Sequence, residues 1–586
     1  MLFLSDENGG ARNKGFALQV FTGRWFMVFS SFMIMSVSGA SYMFSLYSRE
    51  IKSSLGYDQS TLNLLSFFKD LGSNIGILSG LINEVTPPYV VLTIGGILNF
   101  FGYFIVWLAV TKKIPKPQVW TMCLYIFIGA NSHCSTNTGA LVTSVKNFPG
   151  LRGIVIGLLS GYLGLSAAII TQLYYAFYGD DTKSLLLLMA WLPTATAFVF
   201  LPFIRHHKGV QEKNDSKAFY KFLYMSLVLA VFLMIVIIVE KCLSFTQTEY
   251  SVTTTLMLLL LVFLPLGVVV QEEHRIWKAK KQHMNNPLSI VTAEKPKEVM
   301  MKSAEPSSSS DSCWKDMFRA PRRGEDHTIL QAIFNLDMVI LFLATICGLG
   351  GNLTVVNNLS QIGTALGYSP HSITTFVSLM AIWIYLGKIV QGVISEFIIK
   401  RFKIPRPLMF TSILLLSCVG HLLIAFNVPN GLYVASIVIG FCFGANWPIL
   451  FSIISELFGL KYYSTLYNVG SIASPIGSYL LSVRVAGHFY DKEGLRQMAA
   501  MGLKRNPNEE LNCNGGECYK LAFIIITAVC LFGALVSLVL VYRTRELYKG
   551  DLYKKFRGEE ESTINTVVET EMAMPQNKII GEPAAN

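Results

Sequence analysis

Apolar runs of about 20 residues, separated by short polar stretches, recur along almost the whole of this 586-residue chain. Each is long enough to cross a hydrocarbon core of about 30 Å as a helix. In order they predict fourteen helices, beginning near Trp25, Thr61, Tyr89, Val119, Ile154, Ser184, Phe219, Thr253, Ala332, Ser372, Leu408, Leu432, Ser464 and Leu521. The runs group as six, two and six. A first bundle spans 23–204, two further helices reach 270, a polar linker covers 271–330, and a second bundle spans 331–545. Polar tails occupy 1–22 and 546–586. The predicted fold is all-α and integral to a membrane, with two six-helix bundles plus two extra helices, fourteen spans in all. The seventh and eighth segments are almost purely aliphatic, which suits helices that touch lipid and line no pathway.

The two sixes repeat each other at a spacing of about 311 residues. Leu55-Gly56-Tyr57 recurs as Leu366-Gly367-Tyr368, Gly76 matches Gly387, and Gly129 matches Gly440. Asn147 to Arg152 has a looser echo in Glu456 to Lys461. Parallel repeats of this size in an apolar chain are how many secondary transporters build two half-bundles around a central site.

Composition narrows the class. The hydrophobic fraction is 52%, the charged fraction 15% and the mean hydropathy +0.47, against about 25% charged in an ordinary soluble protein. Met1 to Arg24 holds no uninterrupted apolar stretch of the kind a cleaved signal peptide needs. The net charge of +11 follows from topology: with both termini in the cytoplasm, inner loops and tails hold 33 of the 48 lysines and arginines. Nucleic-acid binding would need a basic soluble face with interleaved aromatics, and the sequence has none. No nucleophile–base or metal-ligand constellation stands out, so no enzyme, cofactor or metal is expected. Cys513-Asn-Gly-Gly-Glu-Cys518 lies in a long outer loop and can close a small disulfide on an oxidising face. Glu305 to Ser312 and the tail after Gly558 cannot bury enough apolar area to order themselves.

A latch signature comes next. Gly80-Leu-Ile-Asn-Glu84 ends the second segment, and Gly392-Val-Ile-Ser-Glu396, followed by Lys400-Arg401, ends the tenth. A glycine allows close helix approach, and a carboxylate at a helix end pairs with a cation or caps a neighbour. The two-times-six plan and these paired motifs resemble the major facilitator superfamily, in which this cluster latches one access state. The first copy departs from the pattern, because Val85-Thr86-Pro87-Pro88 follows Glu84 and no basic residue does; Arg152 is the expected substitute cation. Gly23-Arg24-Trp25-Phe26, Leu55-Gly56-Tyr57, Asn147 to Gly153 and Gly164-Leu165-Ser166 resemble the plant nodulin-like branch, whose members include nuclear-fusion-defective proteins. That resemblance covers about 22–270 and 326–545. It implies a transporter-like membrane protein, and the wider similarity to monocarboxylate and oxalate/formate transporters implies organic anions.

Candidate transport residues are the ionisable and polar groups inside helices, which cost about 2.5–3.5 kcal/mol each at mid-membrane and so face a partner or water. Lys69-Asp70 sits mid-helix in a polar stripe with Ser66, Ser73 and Asn74; it is either a protonatable pair for coupling or a structural fastening. Asn131 to Gly139 holds nine residues with no large apolar side chain. Asn131, Ser135 and Thr138 share one face, and His133 and Asn137 another. The stretch lines a wet cavity, with His133 a second proton site, or else it is helix–helix glue. In the second half, Asn352 after Gly348-Leu-Gly-Gly, Lys388, Asn446 and Arg484 complete the substrate set, the cations as counter-charges to an anion. Lys388 and Arg484 have the alternative of snorkelling to the surface. Gly153, Gly157, Gly161 and Gly164 form a close-packing face. They lack the Lys-Ser/Thr ending and preceding strand of a phosphate loop, so coupling is expected to use an ion gradient. The expectation is a monomeric secondary carrier in contact with lipid, at the plasma membrane, moving a small organic anion. Its rival is a transport-inactive scaffold or sensor acting through linker and tail.

Overall fold

The computed structural model of the chain describes residues 16–285 and 321–550, apart from 40–42, 58, 180, 208–214, 244 and 503–512. The serine-rich linker stretch and the acidic tail lie outside the described residues. The described chain is helical throughout, as an unbroken succession of apolar runs requires: only internally hydrogen-bonded helices leave no backbone group unsatisfied in lipid.

Two bundles show the same neighbour pattern. In the first, Pro88–Val110 lies against both Val119–Thr136 and Thr182–Phe200, Gln59–Asn74 against Val119–Thr136, and Arg24–Val37 against Arg152–Tyr178. In the second, Arg406–Ala425 lies against Gly431–Phe458 and Glu517–Lys549, Pro370–Phe402 against Gly431–Phe458, and Leu336–Ala365 against Ala473–Ser478. The halves meet where Arg152–Tyr178 runs along Pro370–Phe402 and where Ile77–Val85 meets Tyr463–Ser471.

Ten helices among the described residues are long and apolar enough to cross a membrane, and eleven if the bent pair Phe16–Thr22 and Arg24–Val37, at 52°, is one span. The remaining predicted spans are broken. The second divides into Gln59–Asn74 and Ile77–Val85. The fourth passes from Val119–Thr136 through a π-helical turn, Asn137–Val142, into Thr143–Asn147. The thirteenth is Tyr463–Ser471, Ala473–Ser478 and the π-helical Tyr479–Gly487, continuing as His488–Ala500. The breaks coincide with Gly, Asn and Ser clusters, which lower apolarity and loosen the helix together.

The eighth segment does not end at 270. Its last helix runs Leu264–Asn285, so the basic Arg275 to Lys281 stretch is helical and no loose linker begins there. Glu272 and Glu273 explain the extension, because both face protein. Glu273 accepts from Gln19 Nε2 at 2.9 Å and from the Trp25 backbone N–H at 3.3 Å, supplying a carboxylate at the N-terminus of Arg24–Val37. A methyl on Gly23 would collide with that carboxylate. The seventh segment, Asp215–Cys242, is likewise not a bystander in lipid. Asp215 pairs with Arg24 at 2.6 Å, Phe219 and Phe222 pack around Trp25, and Ser226 accepts at 2.9 Å from the Tyr385 hydroxyl of the second bundle. Ends of helices joined by such contacts define one face of the molecule, which carries both described chain ends and is called here the terminal face.

Candidate functional site

At the terminal face the halves touch through glycine. A methyl group built on Gly392 would lie 2.6 Å from the Gly153 carbonyl oxygen and 2.7 Å from Gly157 Cα. One built on Gly80 would lie 2.7 Å from Thr465 Cα. Further along the same seam Gly161 faces Ile389, and Gly164 faces Tyr385. Only residues without a side chain permit helix axes this close.

Carboxylates flank the glycines, and the cations they find differ from those expected. Glu84 pairs with Lys146 at 3.1 Å and accepts from the Thr465 backbone N–H at 3.3 Å, at the N-terminus of a second-half helix. Arg152 does not reach it: buried across the seam, its Nη1 donates to the Ser455 carbonyl at 2.8 Å. Glu396 pairs with the fully buried Arg406 at 2.6 Å, and with Lys400 at 3.4 Å, whereas Arg401 is exposed and makes no ion pair among the described residues. Arg406 also holds Glu456 at 2.8 Å, whose other oxygen accepts from the Tyr548 hydroxyl at 2.9 Å. The buried ion-pair network of the second half is therefore Glu396–Arg406–Glu456, tied to the final helix.

At mid-depth the helix breaks gather the polar groups. Lys69 pairs with Asp70 at 2.9 Å and lies 5.3 Å over the Phe44 ring, while Asp70 Oδ2 accepts from Asn357 of the second half at 3.2 Å. Asn131 donates to the Gly72 and Ile75 carbonyls at 3.1 and 2.6 Å, satisfying backbone acceptors where the second span breaks. His133 Nδ1 sits 3.5 Å from the carbonyl of Ser38, the C-cap of Arg24–Val37, and lies within electrostatic range of Lys388 on the opposite bundle. Ser135 shares a 2.9 Å hydrogen bond with Ser79. Thr138 accepts at 2.8 Å from Asn468, whose amide fills the notch left by Gly76. Asn137 is buried in the π-helical turn, its Oδ1 without a hydrogen-bond partner among the described residues.

Other expected members lie elsewhere. Asn352 and Asn446 are wholly buried, and neither terminal amide finds a partner among the described residues. A methyl on Gly348, one turn from Asn352, would come within 3.9 Å of the Asn446 amide, so both belong to the interior of the second bundle and reach no solvent in this state. Arg484 is exposed within its π-helical segment and contributes no buried counter-charge. Cys513 and Cys518 form a disulfide with Cα atoms 5.9 Å apart. No group of three or more His, Cys, Asp or Glu among the described residues has metal-holding geometry.

Two family models match this chain, one described as Nodulin-like over residues 24–270 and one as NFD4, C-terminal domain, over 327–550. The chain belongs to the nodulin-like family. The Arabidopsis thaliana protein NUCLEAR FUSION DEFECTIVE 4 is 26% identical over 538 residues, 90% of this chain and 89% of that protein. A Yarrowia lipolytica protein named "Probable transporter MCH1" is 25% identical over 229 residues, 36% of this chain and 43% of its own. The solved structure of the proton:xylose symporter XylE bound to 6-bromo-6-deoxy-D-glucose aligns with a TM-score of 0.50 at 11% identity, over 89% of this chain and 95% of its own. What the nodulin-like chain shares with it is the all-α major facilitator fold.

Several residues that hold the carboxylates of each half or join the halves of this nodulin-like protein escaped the sequence. Lys146, Arg406, Asn468 and Ser464, which accepts from Asn83 at 2.9 Å, carry no local signature. Arg406 directly follows a proline at a helix start, where a basic residue reads as an ordinary loop cation.

Proposed function

We propose that the chain is a secondary carrier of a small polar solute, an organic anion such as a monocarboxylate, working by alternating access across fourteen spans. One observation carries the reading. Two like bundles seal one face through glycine contacts flanked by ion pairs within each half, and at mid-depth broken helices carry Lys69, Asp70 and His133 opposite the buried Lys388 of Pro370–Phe402. Ionisable groups so placed mark a solute or proton path. Bundles 23–204 and 331–545 would rock about this seam, with 205–270 fastened mainly to the first. Asn357, beside Asp70, is exposed, which supports access from the face opposite the termini in this state. Lys69 and Lys388 are the counter-charges for an anion, Asp70 and His133 the coupling groups, and Ser135, Asn137 and Thr138 the hydrogen-bonding wall. Asn352 and Asn446 would join only in another state. Both termini in the cytoplasm follow from the bias of lysine and arginine, and single-copy operation at the plasma membrane completes the proposal. Relatives named as transporters support carriage.

The test is uptake into proteoliposomes of the purified chain, with labelled monocarboxylates, amino acids, sugars and inorganic anions. The expected result is concentrative uptake of a monocarboxylate under an inward proton gradient, abolished by a protonophore. Absence of flux with every member of the panel would leave the scaffold reading.

A further inference from the structure

We propose that a groove at the terminal face, where both bundles meet the first extra helix, binds the phosphate headgroup of an anionic membrane lipid. The groove encloses about 300 Å³, with one wall from each of three helices. Asp215–Cys242 supplies Ser216 and Tyr220; Pro370–Phe402 supplies Phe397, Lys400 and Arg401 around Glu396; and Arg152–Tyr178 contributes Ile154, beside the glycine seam.

The charge balance favours an anion. Glu396 takes the buried Arg406 at 2.6 Å and Lys400 at 3.4 Å, and Arg406 is shared with Glu456. The three cations Lys400, Arg401 and Arg406 thus exceed the two carboxylates by one charge, that of the exposed Arg401. Lys400 is 48% exposed and Arg401 exposed, and both project into the groove. Their five-donor fork and ammonium, with the Ser216 and Tyr220 hydroxyls, match the acceptor oxygens of a phosphate. Basic pockets between transmembrane helices are where such headgroups bind.

The surroundings select a lipid over a free phosphate. Phe397, Phe402 and Ile394 are exposed at 57%, 60% and 44% on the same helix end. They offer apolar surface where acyl chains begin, directly beside the cations, so an amphipathic ligand satisfies both. A bound headgroup would bridge first bundle, extra helix and second bundle at the sealed face, and hold that face closed.

The experiment uses the full chain in phosphatidylcholine nanodiscs with spin-labelled phosphatidylserine or phosphatidylcholine, reading the motionally restricted lipid fraction. Wild type should prefer phosphatidylserine. Replacing Lys400→Ala and Arg401→Ala together should weaken that preference roughly 25-fold, about fivefold per charge. Lys278→Ala with Lys281→Ala, on the other extra helix, should leave it intact. Tyr220→Phe keeps every charge and should weaken binding severalfold, which keeps the proposal testable if the double variant misfolds. An unchanged preference in the Lys400/Arg401 variant, an equal loss in the Lys278/Lys281 control, or full displacement by soluble glycerophosphate would each overturn the proposal. Binding is read without flux, so its failure leaves the carrier reading standing.

Discussion

Asp70 is the residue on which the proposed coupling turns. It holds Lys69 at 2.9 Å with one oxygen and Asn357 at 3.2 Å with the other, so its charge joins a cation of its own helix to an amide of the opposite bundle. Protonation removes the attraction to Lys69 and weakens the acceptor for Asn357, releasing both together. The Asp70→Asn protein keeps the shape without the titration. Its uptake, measured across a pH series, should lose the rise toward acid pH; an unchanged profile would remove Asp70 from the mechanism. Neighbours in sequence on a helix point about 100° apart, which left open whether Lys69 and Asp70 bond one another. The long lysine side chain spans that angle, and its ammonium lies 5.3 Å over the Phe44 ring. Asn131 illustrates the opposite case. A polar amide in an apolar run invites a ligand reading, and here it caps the carbonyls of a broken neighbour.

At the scale of helices, the proposed rocking makes the seam of Arg152–Tyr178 on Pro370–Phe402 the contact that sets which state is stable. Gly392→Leu puts a side chain where 2.6 Å separates a methyl from the Gly153 carbonyl. Overpacking of this kind costs about 1–3 kcal/mol, paid only while the terminal face is shut. Spin labels at the exposed Tyr89 and Leu408 should therefore report longer distances across that face than in wild type. The extra helix Asp215–Cys242 would favour the shut face through the 2.9 Å hydrogen bond that the Tyr385 hydroxyl donates to Ser226. Tyr385→Phe removes it and should shift the same distance distribution by about 1 kcal/mol toward the open state. An unmoved distribution would reduce this helix to a lipid-facing passenger. Its aliphatic sequence suggested that role, because one serine among apolar side chains carries no sign of the hydroxyl it meets.

For the whole molecule the question is which way round it sits. The disulfide Cys513–Cys518 and the terminal face lie toward opposite ends of Glu517–Lys549, and Asn514 and Gly515, between the two cysteines, are exposed. On intact cells an antibody should reach an epitope inserted at the exposed Gly515, while a tag after Asn586 should be reached only once the membrane is opened. The reverse pattern would invert the topology. The repeat of about 311 residues announced two bundles, and each helix pair of the first has its counterpart in the second. The continuity of the spans was less legible. Hydropathy averages over a window and does not register that a Gly-Asn or Gly-Ser cluster opens the helix within it.

Apolar run length, the periodic polar stripes and the internal repeat determined by themselves that this chain is a membrane bundle of two related halves. They also marked the glycines of the seam and most of the polar groups at mid-depth. These are local properties: a helix needs only its own residues to hydrogen-bond its backbone and to show which face is polar. Partners were decided only by the tertiary structure. Glu84 takes Lys146 over Arg152, Glu396 takes Arg406 over Arg401, and Thr138 meets Asn468 of the opposite half. Ion pairs and hydrogen bonds act over about 3 Å, and which groups come that close depends on helix rotation and axial offset. Those are set by close packing across the bundle, which no window along the chain contains.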